Sequence, residues 1–377
     1  MPINKILING ITLEQATLFP LLLNCRYWLN HECSVTFFGN SELKARIQQS
    51  GILTSYEFVE FFNTKKITNK FQFIFEALRR NIVALPYIYK FRGKFDIVYT
   101  RSSVLDLTIF PYCLKKVDNK IKWLTVFDNI IKLSDSGRLF VRFLSWLFFK
   151  MSLIFLKKAD RVFTISQDLK DYLLKEEFES QRVIITGNGV ENDLIQKAQK
   201  KTGFSWIDAL FIGRINETKG VFDLLKVISL LKDWFPDFQL AIMGTGDSFT
   251  IGRLKAKIKE HNLSRNVKFL GYIDNQEKFN IIKSSKIFLF PSYKESFGIS
   301  LLEAACSGVK AFAYDLEAYR NIYKNNEVIF LPVGDYKAIA RKVKEVFEKC
   351  DFDNRTGELL LGKYSWEKIA EIECKSF

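Results

Sequence analysis

Short apolar runs, rich in β-branched and aromatic residues and closed by glycine, proline or polar turns, alternate along the chain with longer segments of helical periodicity. In the first half this pattern predicts strands over Lys5 to Asn9, Ser34 to Phe38, Phe95 to Thr100, Trp123 to Phe127, Arg161 to Ile165 and Arg182 to Thr186. In the second half it predicts strands at Ile207 to Ile212, in LAIMGTGDS and VKFLGYI, at Lys286 to Phe290, and in VKAFAY and EVIFLP. Helices are expected from Val221 to Leu231, after Ser166 as a cap with Asp168 in the first turn, and after Asp335, with Ile339, Val343 and Phe347 on one face. Strand and helix in alternation imply the α/β class. A chain of 377 residues exceeds one typical core. Gly187-Asn188-Gly189 can form a hinge-like turn, which divides the chain into residues 1–187 and 188–363.

Composition narrows the functional classes. Hydrophobic residues make up 48% and charged residues 26%, as in a soluble globular protein. The six cysteines, Cys25, Cys33, Cys113, Cys306, Cys350 and Cys374, contain no C-x-x-C, and His31 and His261 are the only histidines. No zinc-like cluster results, and the cysteines read as free thiols in a reducing compartment. The start, MPINKILING, lacks a long apolar stretch before its first strand, so a cytoplasmic protein without a signal peptide is expected. A net charge of +14 calls for an anionic partner. The basic residues are spread out and no helix-turn-helix, zinc-finger or RNP-type signature is present, which disfavours nucleic acid and leaves an anionic membrane surface or a phosphorylated substrate.

The densest chemistry lies in Pro291 to Gly308, PSYKESFGISLLEAACSG, which follows a predicted strand. Ile299, Leu301, Leu302, Ala304 and Ala305 make the helix there largely apolar, and Ser307-Gly308 ends it. Glu295 and Glu303 bracket seven residues. Glu303 sits among apolar neighbours and requires a partner, since a carboxylate is almost never buried alone. Phe297, Gly298 and Ile299 would offer backbone N–H groups at the carboxyl end of a parallel strand, where ligands bind in such sheets. A diphosphate flanked by sugars fits that description. The local alternative gives Glu295 an interaction with the helix dipole and Glu303 a buried ion pair. Upstream, GRINETKG places Arg214 and Lys219 in a loop after a strand, either for a diphosphate or as solvated cations.

The run E-S-F-G-I-S-L-L-E, with P-S before it and A-A-C-S-G after it, resembles the E-x7-E signature of retaining, nucleotide-sugar-dependent glycosyltransferases of the GT-B fold, family 4, also called glycosyl transferases group 1. That resemblance implies two Rossmann-like domains facing across a cleft, with the donor held by the second and the acceptor by the first. It assigns Glu295, Lys219 and Arg214 to catalysis. Glu295, Ser296 and the Phe297 to Ile299 backbone would take the donor sugar, Glu303 the ribose, and Arg214 and Lys219 the diphosphate in place of a metal. Gly244, in Gly244-Thr245-Gly246, would lie near the nucleotide, and Gly271, Tyr272 and Ile273 would meet the base. The donor would be UDP- or GDP-linked, with no cofactor and no metal. Front-face displacement follows, with the leaving phosphate helping to deprotonate the acceptor. VIITGNGVEN resembles the crossing between domains, and residues 364–377 resemble a terminal helix that returns to the first domain.

The amino-terminal half departs from the pattern. Gly10 stands alone where relatives carry a glycine-rich turn, and Phe127 stands where a histidine is frequent. Asp128 or Asn129 would replace that contact, or form a plain turn. Arg101, after a strand, reads equally as an acceptor-phosphate ligand or as a surface charge. The implied acceptor is a glycan or a polyprenyl-linked sugar in cell-surface polysaccharide synthesis. A non-catalytic partner subunit and a nucleotide-sugar epimerase of the same fold are the alternatives. Between Arg138 and Lys158, many apolar residues stand among cations, and Arg142 and Lys150 break the run below bilayer-spanning length. This stretch reads either as a helix packed on the sheet or as an interfacial helix presenting Trp146 and Phe149 to anionic lipid.

Overall fold

The computed structural model describes residues 4–11, 15–61, 70–133, 139–324, 326–352 and 356–377. Two compact units form, Met1–Gly187 with Trp366–Phe377, and Asn188–Ser365. Among the described residues, the first unit has strands β1 (Lys5–Asn9), β2 (Ser34–Gly39), β3 (Glu57–Glu60), β4 (Ile97–Thr100), β5 (Lys122–Phe127), β6 (Arg161–Thr164) and β7 (Val183–Ile185). They pair in parallel in the order β3-β2-β1-β4-β5-β6-β7, with Ile6 opposite Val35 on one side and Ile97 on the other. The inner strands are buried on both faces, which is why they read as continuous apolar runs. Strand β3, sequence EFVE, was not expected from the sequence. Two apolar residues between glutamates give no strand signal, yet charge suits a sheet edge, and Thr36 Oγ1 donates to Glu57 Oε2 at 3.1 Å.

Helices Lys70–Phe91 and Leu139–Leu156 both pack on helix Leu105–Val117. In Leu139–Leu156 the inward face carries Phe149, buried between Phe127 (6.1 Å) and Tyr172 (6.0 Å). The expectation that Phe149 faces lipid is therefore corrected, because this ring belongs to the core. Phe127 itself is fully buried. Leu139, Phe140, Phe143, Met151 and Ile154 of the same helix are exposed, as are Ile82, Leu85 and Tyr89 of Lys70–Phe91. Arg138 lies outside the described residues. Among those residues, no helix is long and apolar enough to cross a membrane.

The helix Trp366–Cys374 packs on helix Gln15–Leu29 within the first unit. Trp28 Nε1 donates to the Ala370 carbonyl at 3.4 Å, and Asn24 Nδ2 and Tyr99 Oη each donate to Glu373 Oε2 at 3.0 Å. Arg101 is also drawn in here. Only 5% of it is exposed, and its guanidinium carbon lies 5.8 Å from the Trp366 ring. The surface-charge reading of Arg101 is thus overturned, because aromatic packing and the Glu373 charge hold it inside. At the helix after β6, Ser166 occupies the cap position, but its hydroxyl makes no capping bond. Asp335 does cap its helix, accepting from Ala338 N at 2.8 Å.

The second unit is likewise parallel among the described residues. Its strands are β8 (Ala209–Ile212), β9 (Leu240–Met243), β10 (Val267–Gly271), β11 (Ile287–Phe290), β12 (Lys310–Tyr314) and β13 (Val328–Leu331), in the order β10-β9-β8-β11-β12-β13. Ala209 pairs with Ile287 and Leu210 with Phe288, so the winding direction reverses between β8 and β11. In an open parallel sheet the loops at such a reversal, outside the strand carboxyl ends, form the ligand crevice.

Candidate functional site

The two loops at this reversal are the two that the sequence singled out, GRINETKG after β8 and PSYKESFG after β11. The first is shaped by Asn216, whose Oδ1 accepts from Lys219 N at 3.0 Å and from Thr218 Oγ1 at 2.9 Å, closing the short turn Glu217–Lys219. Gly220 then turns the chain into helix Val221–Trp234 at φ +69°, and a Cβ there would lie 1.9 Å from the Pro291 carbonyl oxygen. Only glycine fits. The loops are also stitched together, as Tyr293 N donates to the Thr218 carbonyl at 2.8 Å and Ser292 Oγ to the same oxygen at 3.2 Å.

This stitching places Lys219 against Glu295. Their side chains form an ion pair, with Lys219 Nζ on Glu295 Oε1 and only 14% and 9% of the two side chains exposed. Lys219 Nζ also stands 5.8 Å from the Phe290 ring centre. Arg214, on the same loop, is exposed. Glu295 precedes helix Ile299–Cys306 and is not in its first turn, so its partner is the lysine and not the helix dipole. Gly298 caps that helix at φ +80°, and the first-turn N–H groups have no intrahelical acceptor. Phe297 is buried, Ser296 half-buried and Ile299 exposed.

Glu303, inside the helix and 8% exposed, pairs with Lys278 Nζ at 2.7 Å, so its partner in this structure is a cation from helix Asn275–Ser284. Gly244 N donates to the Gly271 carbonyl at 2.8 Å, and Ile215 N to the Thr245 carbonyl at 2.8 Å, which aligns the loops after β8, β9 and β10. A Cβ on Gly244 would lie 1.9 Å from the Gly213 carbonyl oxygen, so backbone packing alone accounts for that glycine. Tyr272 projects with 76% of its surface exposed, beside half-buried Ile273.

Three residues here escaped sequence reading. Lys278 answers the demand of Glu303, but nothing in QEKFN marks it as that partner. Asp223 resembles an ordinary first-turn carboxylate, yet it is buried. Its Oδ2 accepts from Tyr293 Oη and from Tyr314 Oη (2.7 Å), while Lys226 meets Oδ1 at 2.9 Å. Burial pushes the Asp223 carboxyl up, but bonds from Tyr293, Lys226 and Tyr314 outweigh it and hold the group below the usual carboxylate value. Tyr293 is thereby anchored from below. The third, Tyr319, abuts Gly298.

The acceptor candidates of the first unit are occupied differently. Gly10 N donates to the Phe38 carbonyl at 2.8 Å, and the neighbouring Asn9 side chain is used on Leu107 O (3.0 Å). Asp128 is half-buried in the loop after β5. Neither histidine enters the β8 or β11 loop, as His31 stacks on Tyr27 and His261 ends helix Ser248–Glu260. Among the described residues, no group of three or more His, Cys, Asp or Glu side chains is placed to hold a metal ion.

Residues 207–358 match the family model described as Glycosyl transferases group 1. Within the second unit, the chain is thus similar to that family over these residues. A phosphatidyl-myo-inositol mannosyltransferase of Mycobacterium leprae is 31% identical over 191 residues, 48% of this chain and 50% of that protein. The chain thus spans about half the length of the curated relatives it matches first. An uncharacterized glycosyltransferase of Methanocaldococcus jannaschii is 28% identical over 300 residues, 75% of each chain. In fold, the whole chain is similar to Anabaena Alr3699/HepE, solved in complex with UDP and glucose, at a TM-score of 0.75, 12% identity and 99% coverage of both chains. The fold is GT-B, as the sequence resemblance implied.

Proposed function

We propose that this chain is a glycosyltransferase that moves a sugar from a nucleotide-sugar donor to an acceptor, with retention at the anomeric carbon. The observation that carries this reading is the Lys219–Glu295 pair at the reversal point of the second sheet, with Arg214 on the same loop and a helix amino terminus alongside. When the bond from C1 to the diphosphate breaks, its electron pair stays on the leaving oxygen. Fixed cations and N–H groups at that oxygen lower the barrier. The acceptor oxygen bonds to C1 on the face the diphosphate leaves, and its proton passes to the leaving phosphate oxygen. Glu295 orients the sugar, Glu303 takes the ribose, and Arg214 with Lys219 replaces a divalent ion. The test is thermal shift with UDP, GDP and ADP, since about a hundredfold excess over Kd stabilises by about 2.7 kcal/mol. Donor turnover is then measured with and without a chelator. No shift with any nucleotide refutes donor binding; turnover lost to the chelator and restored by magnesium or manganese refutes metal independence.

The name of the Mycobacterium leprae relative supports a lipid-linked acceptor. So does the exposed stripe Phe140, Phe143, Met151 and Ile154, which recurs at helical spacing with Lys157 and Lys158 exposed at its end. We therefore expect the parent to sediment with anionic vesicles at low salt and a Phe140→Ser, Phe143→Ser variant not to. Equal binding by both proteins would refute this membrane contact.

A further inference from the structure

Tyr319 ends the short turn Glu317–Tyr319 after β12 and is fully buried. Its ring stacks on Phe330 at 5.7 Å and meets Tyr323 edge-on at 6.1 Å. It also lies against the cap of the helix that follows Glu295. A Cβ built on Gly298 would stand 2.9 Å from Tyr319 Cε1 and 3.4 Å from the Tyr319 hydroxyl. That hydroxyl is buried and has no hydrogen-bond partner among the described residues. A phenylalanine would fill the same space without the penalty of an unpaired buried donor.

The surroundings say what the hydroxyl could serve. Burial, and after it the nearby Glu295 carboxylate, push the Tyr319 phenol up, so it remains protonated, a donor close enough to Glu295 to feel its charge. Glu295 is engaged by Lys219 in this structure. A carboxylate has room for several donors, but one so nearly buried cannot lose the Lys219 cation without replacement.

We propose that Tyr319 is a positioning residue for Glu295, its hydroxyl donating to the carboxylate when Lys219 turns to the diphosphate of a bound nucleotide sugar. The inference rests on the donor-binding reading given above. Tyr319 and a sugar hydroxyl then share the carboxylate, and the ring fixes its direction.

The experiment is Tyr319→Phe, alone and combined with Glu295→Gln, read by melting temperature, by the shifts that UDP and GDP cause, and by turnover of UDP-glucose and GDP-mannose. The melting temperature of the nucleotide-free variant should stay equal or rise, and the UDP or GDP shift should be retained. Turnover should fall at least about tenfold, with less than about twofold further loss when Tyr319→Phe is added to Glu295→Gln. Turnover within about twofold of the parent overturns the proposal. So does a lower nucleotide-free melting temperature, which would make the hydroxyl a structural group. So does an undiminished loss in the Glu295→Gln background, which would mean that Tyr319 acts elsewhere. A parent that responds to neither UDP nor GDP refutes the donor-binding reading itself, and is recognised before any variant is compared.

Discussion

Glu373 offers a test of the first unit that is independent of any ligand. It is 1% exposed on the last helix and faces Tyr99 from β4, Arg101 just beyond it, Asn24 and Cys25 from helix Gln15–Leu29, and Cys374 on its own helix. Burial pushes its carboxyl from an ordinary value near 4.5 up to about 7, although Arg101, Tyr99 and Asn24 all favour the charged form. The folded chain therefore holds a proton that the unfolded chain releases between about pH 4.5 and 7. Below this window both states are protonated and no penalty exists. Through it stability falls as pH rises, and above it the whole penalty is present. A displacement of that size is worth roughly 3 kcal/mol at 1.36 kcal/mol per pH unit.

Replacing Glu373 by Gln keeps the shape and the acceptor oxygen while removing the titration. Urea denaturation followed by tryptophan emission, with Trp28 and Trp366 both in this cluster, should show the parent losing roughly 2.5 kcal/mol more than the variant between pH 5 and pH 8, the remainder having been lost below pH 5. Carboxylates whose pKa is lowered, such as Asp223 and Glu176, lose their contribution only as pH falls through their folded values, beneath this window. Identical losses in parent and variant would show that Glu373 titrates alike in both states, and the account of burial would be wrong.

Two further outcomes concern the second unit. Gly220→Ala should destabilise by about 2 kcal/mol or more, because both its positive φ and the Pro291 carbonyl oppose a Cβ; an unchanged melting temperature would refute the stitched-loop geometry. Lys219→Ala should weaken UDP or GDP binding, whereas Glu295→Gln should not weaken it but should lower donor turnover on the order of 10²-fold; variants that bind and turn over like the parent would remove both residues from the site.

Legibility in the sequence followed burial. Strands apolar on both faces, such as β8 and β11, announce themselves, and the structure trims them by a residue or two at the ends. Strand β3 does not, since an edge needs only Phe58 and Val59 between glutamates. The site divides in the same way. Arg214, Lys219, Glu295 and Glu303 stand out because charge in a loop or an apolar helix is conspicuous. Their partners do not, because Lys278, Asp223 and Tyr319 become neighbours only through sheet order. Arg101 misled for the converse reason. Its place at a strand end was readable, but the helix covering it lies at the far end of the chain.

The pairing of Lys219 with Glu295 bears on the order of events in the proposed reaction. In this structure each satisfies the other at low exposure, so neither can meet a ligand without depriving its partner of a countercharge. A bare nucleoside diphosphate would capture Lys219 and leave a nearly buried carboxylate with the Tyr319 hydroxyl but no countercharge and no sugar hydroxyl, a cost that offsets part of the phosphate's attraction. A nucleotide sugar brings both replacements at once, phosphate for the lysine and a hydroxyl for the carboxylate. On this reading the ion pair is a gate set by exchange of partners, and it favours the complete donor over the product left behind. The binding energy of the sugar is then spent in opening the pair, which places Lys219 beside the oxygen where negative charge develops.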